Sequence, residues 1–115
     1  MNEIKRQILN RSVMIALIGD DEQMARHFEI EFLKQAKASL AIIIENFNSE
    51  NYVGIKEEAH YLKTSASAVG AEITANLLQE LEGIALQNDK AKCKQQIKSL
   101  HQSVSQVYEV IRNEG

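Results

Sequence analysis

Apolar residues recur along this chain at intervals of three and four, a period that predicts helices from end to end. The first stretch, about residues 3 to 18, carries Ile4, Ile8, Val13, Ile15 and Ile18, and Gly19 stands where a C-cap is expected. Asp20 offers an N-cap, with Gln23 as its capping-box partner, for a long helix reaching to about Phe47. Its stripe is Met24, Phe28, Phe32, Ala36, Leu40, Ile43 and Phe47. Ser49 is the expected cap of a third helix, about 50 to 69, lined by Tyr52, Ile55, Ala59, Leu62, Ala66 and Val69 and stopped by Gly70. A fourth, about 71 to 87, carries Ile73, Leu77, Leu81 and Ile84. The last, about 90 to 112, repeats Cys93, Ile97, Leu100, Val104, Val107 and Ile111. Four amphipathic helices on short connections predict an all-α fold, an antiparallel four-helix bundle with an extra short N-terminal helix. The reading is one domain over residues 1–115, with a cap segment about 1–19 and the bundle about 20–113.

Composition narrows the classes of function. There is no proline and there are five glycines, so little interrupts a helix. A net charge of −3 argues against nucleic acid as a partner. No apolar run is long enough to span a bilayer, and the first residues lack the layout of a signal peptide. Cys93 is the single cysteine, so an internal disulfide is ruled out and a reducing compartment is expected. These features point to a cytoplasmic monomer that binds neither membrane nor nucleic acid. Met1 and the complete set of helices favour a free-standing protein.

Candidate chemistry sits on the third helix. With Ile55 at zero on a helical wheel, Ala59, Leu62, Ala66 and Val69 fall within about 40° of it and form the buried seam. His60 falls at about 140°, Lys63 at about 80°, Lys56 at about 100°, Ser67 at about 120° and Thr64 at about 180°. An imidazole facing solvent between two lysines suits a nucleophile that another protein must reach. A neighbouring cation such as Lys63 can offset charge on phosphoryl oxygens in a loose transition state. The duller reading, a solvated helix face, fits the spacing as well.

The residues themselves decide between these readings. The run from Ala59 to Ala71, AHYLKTSASAVGA, resembles the signature of the histidine-containing phosphotransfer (HPt) family, in which His-x-Leu-Lys-Gly-Ser precedes a Gly-Ala pair. Leu17 to Glu22, Phe32-Leu33 and Leu81-Glu82 are similar to flanking parts of that family, so the likeness covers about residues 9 to 112. It implies a bundle that carries a phosphoryl group on His60, exchanged with aspartates of response-regulator receiver domains and supplied through a hybrid sensor histidine kinase. Lys63 maps to the family's motif lysine and Gly70 to its later glycine, and Thr64 stands where the family's glycine is usual.

The resemblance therefore implies a phosphorelay intermediate in which His60 is the phosphoacceptor and Lys63 supports the phosphoryl group. Lys56, Thr64, Ser67 and Gly70 are the expected docking residues. The receiver would bring the aspartate and its Mg²⁺, so no cofactor is expected in this chain. With no phosphate-cradling glycine loop, a phosphocarrier is expected and not a kinase. The alternative is a pseudo-HPt bundle that binds a receiver without transfer. Glu57-x-x-His60 is half of a di-iron motif without its second copy, so no metal site is expected. His27 and His101 have no matched partners and read as surface residues, and Cys93 reads as core.

Overall fold

Five helices account for nearly all of residues 6–114, the part of the chain that the computed structural model describes. They are α1 (Arg11–Ile18), α2 (Glu22–Asn48), α3 (Tyr52–Val69), α4 (Glu72–Leu86) and α5 (Lys90–Glu114), with no strand among the described residues. Helices α2 to α5 form a closed square in which each packs on its chain neighbour and α5 returns to α2. Helix α1 lies across α2 and α3. This is the four-helix bundle with a short N-terminal helix that the apolar period predicts.

The seams of α3 and α5 match expectation residue for residue. Ile55, Ala59, Leu62, Ala66 and Val69 are buried in α3, and Cys93, Ile97, Leu100, Val104, Val107 and Ile111 in α5. Burial pushes the Cys93 thiol up from its ordinary value, with Asp89 adding to the effect, which suits a core residue and not a reactive thiol.

Helices α2 and α4 depart from their apolar stripes. The buried face of α2 includes Glu29, Phe32, Ala36 and Ile43, while Met24 and Phe28 are exposed. Glu29 takes the position a stripe of apolar residues would deny it because Arg11 of α1 pairs with its carboxylate at 3.3 Å. In α4 the fully buried residues are Thr74, Leu78, Leu81 and Ala85, and Ile73, Leu77 and Ile84 are only half-buried. Helix α4 packs on both α3 and α5, so its buried face is broad, and a 2.6 Å hydrogen bond between the Thr74 and Ser103 hydroxyls satisfies its polar centre.

The ends also differ from the sequence reading. Helix α1 starts at Arg11, where Asn10 caps it by accepting from Ser12 N–H. Residues 6–10 run as a non-helical strap, and the expected start at residue 3, with Ile4, lies outside the described residues. Asp21 rather than Asp20 caps α2, accepting from Met24 N–H. Asn51 rather than Ser49 caps α3, accepting from Gly54 N–H, while Ser49 closes α2 through its own N–H and hydroxyl. In each case other Asp, Asn or Ser residues lie close by, and only the chain's path decides which one has its side chain over the first free N–H groups of the helix.

Candidate functional site

The site is built where α3 and α4 run side by side. Gly70 ends α3 in the left-handed region at φ 83°, and its N–H is bonded to carbonyls of the last turn. With Ala71 as the only other linking residue, α4 folds straight back along α3. The strap locks the corner, as Asn10 N–H donates to Gly70 O at 2.7 Å. A Cβ on Gly70 would lie 2.1 Å from the Asn10 carbonyl oxygen, so this position needs glycine for both its backbone angle and its contact. Gly70 is buried here, which corrects the expectation that it belongs to a docking face. Glu72, at the start of α4, ties the strap down by accepting from Asn10 Nδ2 and Gln7 N–H. Those hydrogen bonds hold its carboxyl below the usual glutamate range.

Across that corner, Glu82 of α4 reaches His60 and Lys63 of α3. One oxygen, Oε1, lies 3.0 Å from His60 Nδ1, and the other, Oε2, lies 2.9 Å from Lys63 Nζ. Partial burial pulls the Glu82 carboxyl upward, but its contacts with Lys63 and His60 outweigh that, and the net shift is downward. Glu82 is therefore the ionised partner. A carboxylate only accepts, so the Nδ1–H of His60 must be the donor. In the neutral ring the lone pair is then on Nε2. The His60 side chain is 65% exposed, whereas Lys63 and Glu82 are 25% and 16% exposed. The imidazole thus stands in solvent on a half-buried ionic base. Glu82 Oε2 is fully buried, and the Lys63 ammonium 2.9 Å away is the partner that compensates its charge.

Of the residues singled out from the sequence, the structure joins His60 and Lys63 through Glu82. Ser67 joins Lys63 on the lining of a shallow cavity of about 380 Å³, together with Arg6, Asn76 and Gln79. Thr64 is exposed one helical turn after His60. Lys56 is half-buried, one turn before it, and makes no hydrogen bond or ion pair among the described residues. His27 and His101 are exposed on α2 and α5, away from this edge.

Glu82 is the residue that sequence reasoning left without a role. Its neighbourhood, Leu81-Glu82, was legible as a likeness, but no wheel drawn on α3 alone can show which residue of another helix faces it.

Comparison with known proteins follows the same line. A family model described as the Hpt domain matches residues 30–110. Among solved structures, histidine-containing phosphotransfer protein B (HptB) from Pseudomonas aeruginosa PAO1 superposes with a TM-score of 0.86. The two share 18% identity over 96% of each chain, a likeness of fold. No curated protein matches this sequence.

Proposed function

The chain belongs to the Hpt domain family, with a histidine phosphotransfer role in two-component signalling, and from that premise we propose that it is a phosphorelay intermediate working through His60. The observation that carries this reading is the Nδ1–H to Glu82 hydrogen bond on an otherwise exposed imidazole. It holds the tautomer whose free Nε2 lone pair points the basic nitrogen outward. In the forward step Nε2 attacks the phosphorus of a receiver's aspartyl phosphate. The N–P bond forms as the P–O bond to the aspartate breaks, and the carboxylate leaves with the bonding pair. In the reverse step a second receiver's aspartate takes the group back, and Nε2 regains its lone pair. The proton on Nδ1 stays in place in both steps.

Attack through Nε2 puts positive charge on the ring, and the Glu82 carboxylate offsets it. Lys63 has two tasks in this scheme. It compensates the buried oxygen of Glu82, and its ammonium group supplies positive charge beside phosphoryl oxygens docked over His60. Thr64 and Ser67, with Lys56 at the far side, form the surface against which a receiver would sit. Receiver domains and the hybrid sensor kinase that charges them are the partners this reading requires.

Incubation with purified hybrid sensor kinases of the source organism and radiolabelled ATP tests the proposal. The expected product is an acid-labile, base-stable label that vanishes in His60→Gln and persists in His27→Gln and His101→Gln. Receiver binding without label in the wild-type chain would instead select the pseudo-HPt alternative.

A further inference from the structure

The opposite edge of the square, between α2 and α5, is open. A groove of about 560 Å³ runs there, floored by Leu33 and Val104 and walled by the exposed Ile30 and Tyr108. Arg26 at one end donates to the Ile111 carbonyl at 3.2 Å, which ties the start of α2 to the end of α5. The α2 residues that line the groove run from Arg26 to Leu40, about 21 Å of helix, or roughly four turns.

Its charge is opposite to that of the chain. The protein carries a net −3, yet Arg26, Lys34, Lys37 and Arg112 line this groove and no acidic side chain among the described residues does. Lys34 and Arg112 have ion-pair partners outside the lining, Glu31 at 3.4 Å and Glu109 at 3.2 Å. Both are exposed pairs of the weak, exchangeable kind. Lys37 makes no ion pair among the described residues. The groove is long, shallow and apolar along its floor, with cations on its margins. An enclosed pocket would suit a lipid chain, but a tail lying here would keep much of its length in water. A helix has only one face to bury.

We propose that the α2–α5 groove docks an acidic amphipathic helix of a partner protein, with apolar anchors at i, i+3, i+4 and i+7 between Ile30 and Tyr108 and carboxylates facing Lys37 and Arg112. The site lies on the opposite side of the bundle from His60, since α2 and α5 form the edge opposite α3 and α4. A tethered partner would therefore leave the phosphoacceptor face open. The inference does not rest on phosphotransfer and stands or falls separately from it.

The test uses the full chain and a fluorescent acetylated peptide of about four turns, leucines on one face and glutamates flanking them. A second peptide replaces every glutamate with lysine. The acidic peptide should bind, the basic one should not, and added salt should weaken binding. Amide shifts should map to α2 and α5. Lys37→Glu and Tyr108→Glu, both at surface positions, should each weaken binding by about tenfold with helix content unchanged. Absence of binding, equal binding of both peptides, or unchanged affinity in both variants would overturn the proposal. So would occupation of the groove by anionic vesicles in preference to the peptide, or by a second copy of the chain that the peptide cannot displace.

Discussion

The α3–α4 edge and the α2–α5 edge belong to one square of helices, and they close in opposite ways. At the first, a two-residue turn at Gly70 and Ala71 keeps the helices together, and Glu82 reaches an imidazole 22 residues away in sequence. At the second, the two helices meet only after the chain has passed through α3 and α4, and an apolar groove with a cationic margin remains. Both edges leave reactive or apolar groups in solvent, but only the first has built a charge network beneath them. A buried carboxylate is costly unless compensated. For Glu82 that cost is met where the short corner keeps Lys63 and His60 in reach.

The contrast breaks most sharply at His60. His60→Gln should lose all phosphoryl label with its helical circular dichroism intact, because the side chain is exposed and supports no packing. Lys37→Glu, on the opposite edge, should label as wild type. Label surviving in the His60 variant would dissolve the functional distinction between the edges.

Packing beneath the two edges should differ nearly as much. Leu62 is buried under the His60 face, and Leu62→Ala should cost roughly 2–5 kcal/mol in urea unfolding. Ile30, on the wall of the groove, is partly exposed, and Ile30→Ala should cost less than about 1 kcal/mol. Equal losses would mean that the α2–α5 edge is as much core as the other.

Glu82→Gln probes the network itself. The amide can keep its oxygen toward Nδ1–H only by turning its NH₂ toward the Lys63 ammonium. If it flips, its N–H donates to Nδ1 and the ring proton moves to Nε2, which removes the nucleophilic lone pair. Transfer measured by rapid quench should slow on the order of tenfold to a hundredfold. The carboxyl is held below its usual range in the folded chain, so its pairing stabilises the fold above the unfolded glutamate value. That contribution should fade as pH falls through the lower folded value. Urea midpoints of wild type and Glu82→Gln should therefore converge in acid and separate towards neutrality. Parallel curves would deny the linkage.

These outcomes bear on what the sequence could disclose. The seams of α3 and α5 were legible because their buried positions are apolar and strictly spaced, and rotation from the seam put His60 and Lys63 outside it, but the family signature singled them out. The α2 face was misread at its start, where Glu29 is buried against Arg11, since hydropathy cannot anticipate a charge paired by a helix not yet placed. The α4 face was read correctly at Leu81 but lay one residue off at Ile73, Leu77 and Ile84, for a similar reason, with Thr74 satisfied by Ser103 from α5. Gly70 was marked as significant, but its reason, contact with Asn10 some sixty residues earlier, is tertiary. Glu82 is the same lesson at the site. Properties of one helix could be read along the chain, and properties shared by two helices could not.

The finest comparison lies within the α3–α4 edge, between Lys63 and Thr64. The wheel places Lys63 outside the buried seam, and a residue there would leave the fold little changed when removed. Its pairing with a buried oxygen of Glu82 changes that expectation. Lys63→Ala should both slow transfer and lower stability, by on the order of 1–3 kcal/mol, because a buried acceptor loses its partner. Lys63→Gln, which can still donate to Glu82, should recover stability but not rate if the charge is what acts on the phosphoryl group. Thr64 is exposed and takes no part in the network, so Thr64→Gly should change stability by no more than about 1 kcal/mol, the cost of glycine inside a helix. Its functional effect should be gain rather than loss. Removing the side chain one turn from His60 clears space for a receiver, so exchange should quicken by a few-fold or extend to more receivers. Rapid-quench exchange with a panel of purified receivers measures both quantities. If Thr64→Gly alters neither rate nor range, bulk at this position does not govern docking, and only the charges of the edge matter for transfer.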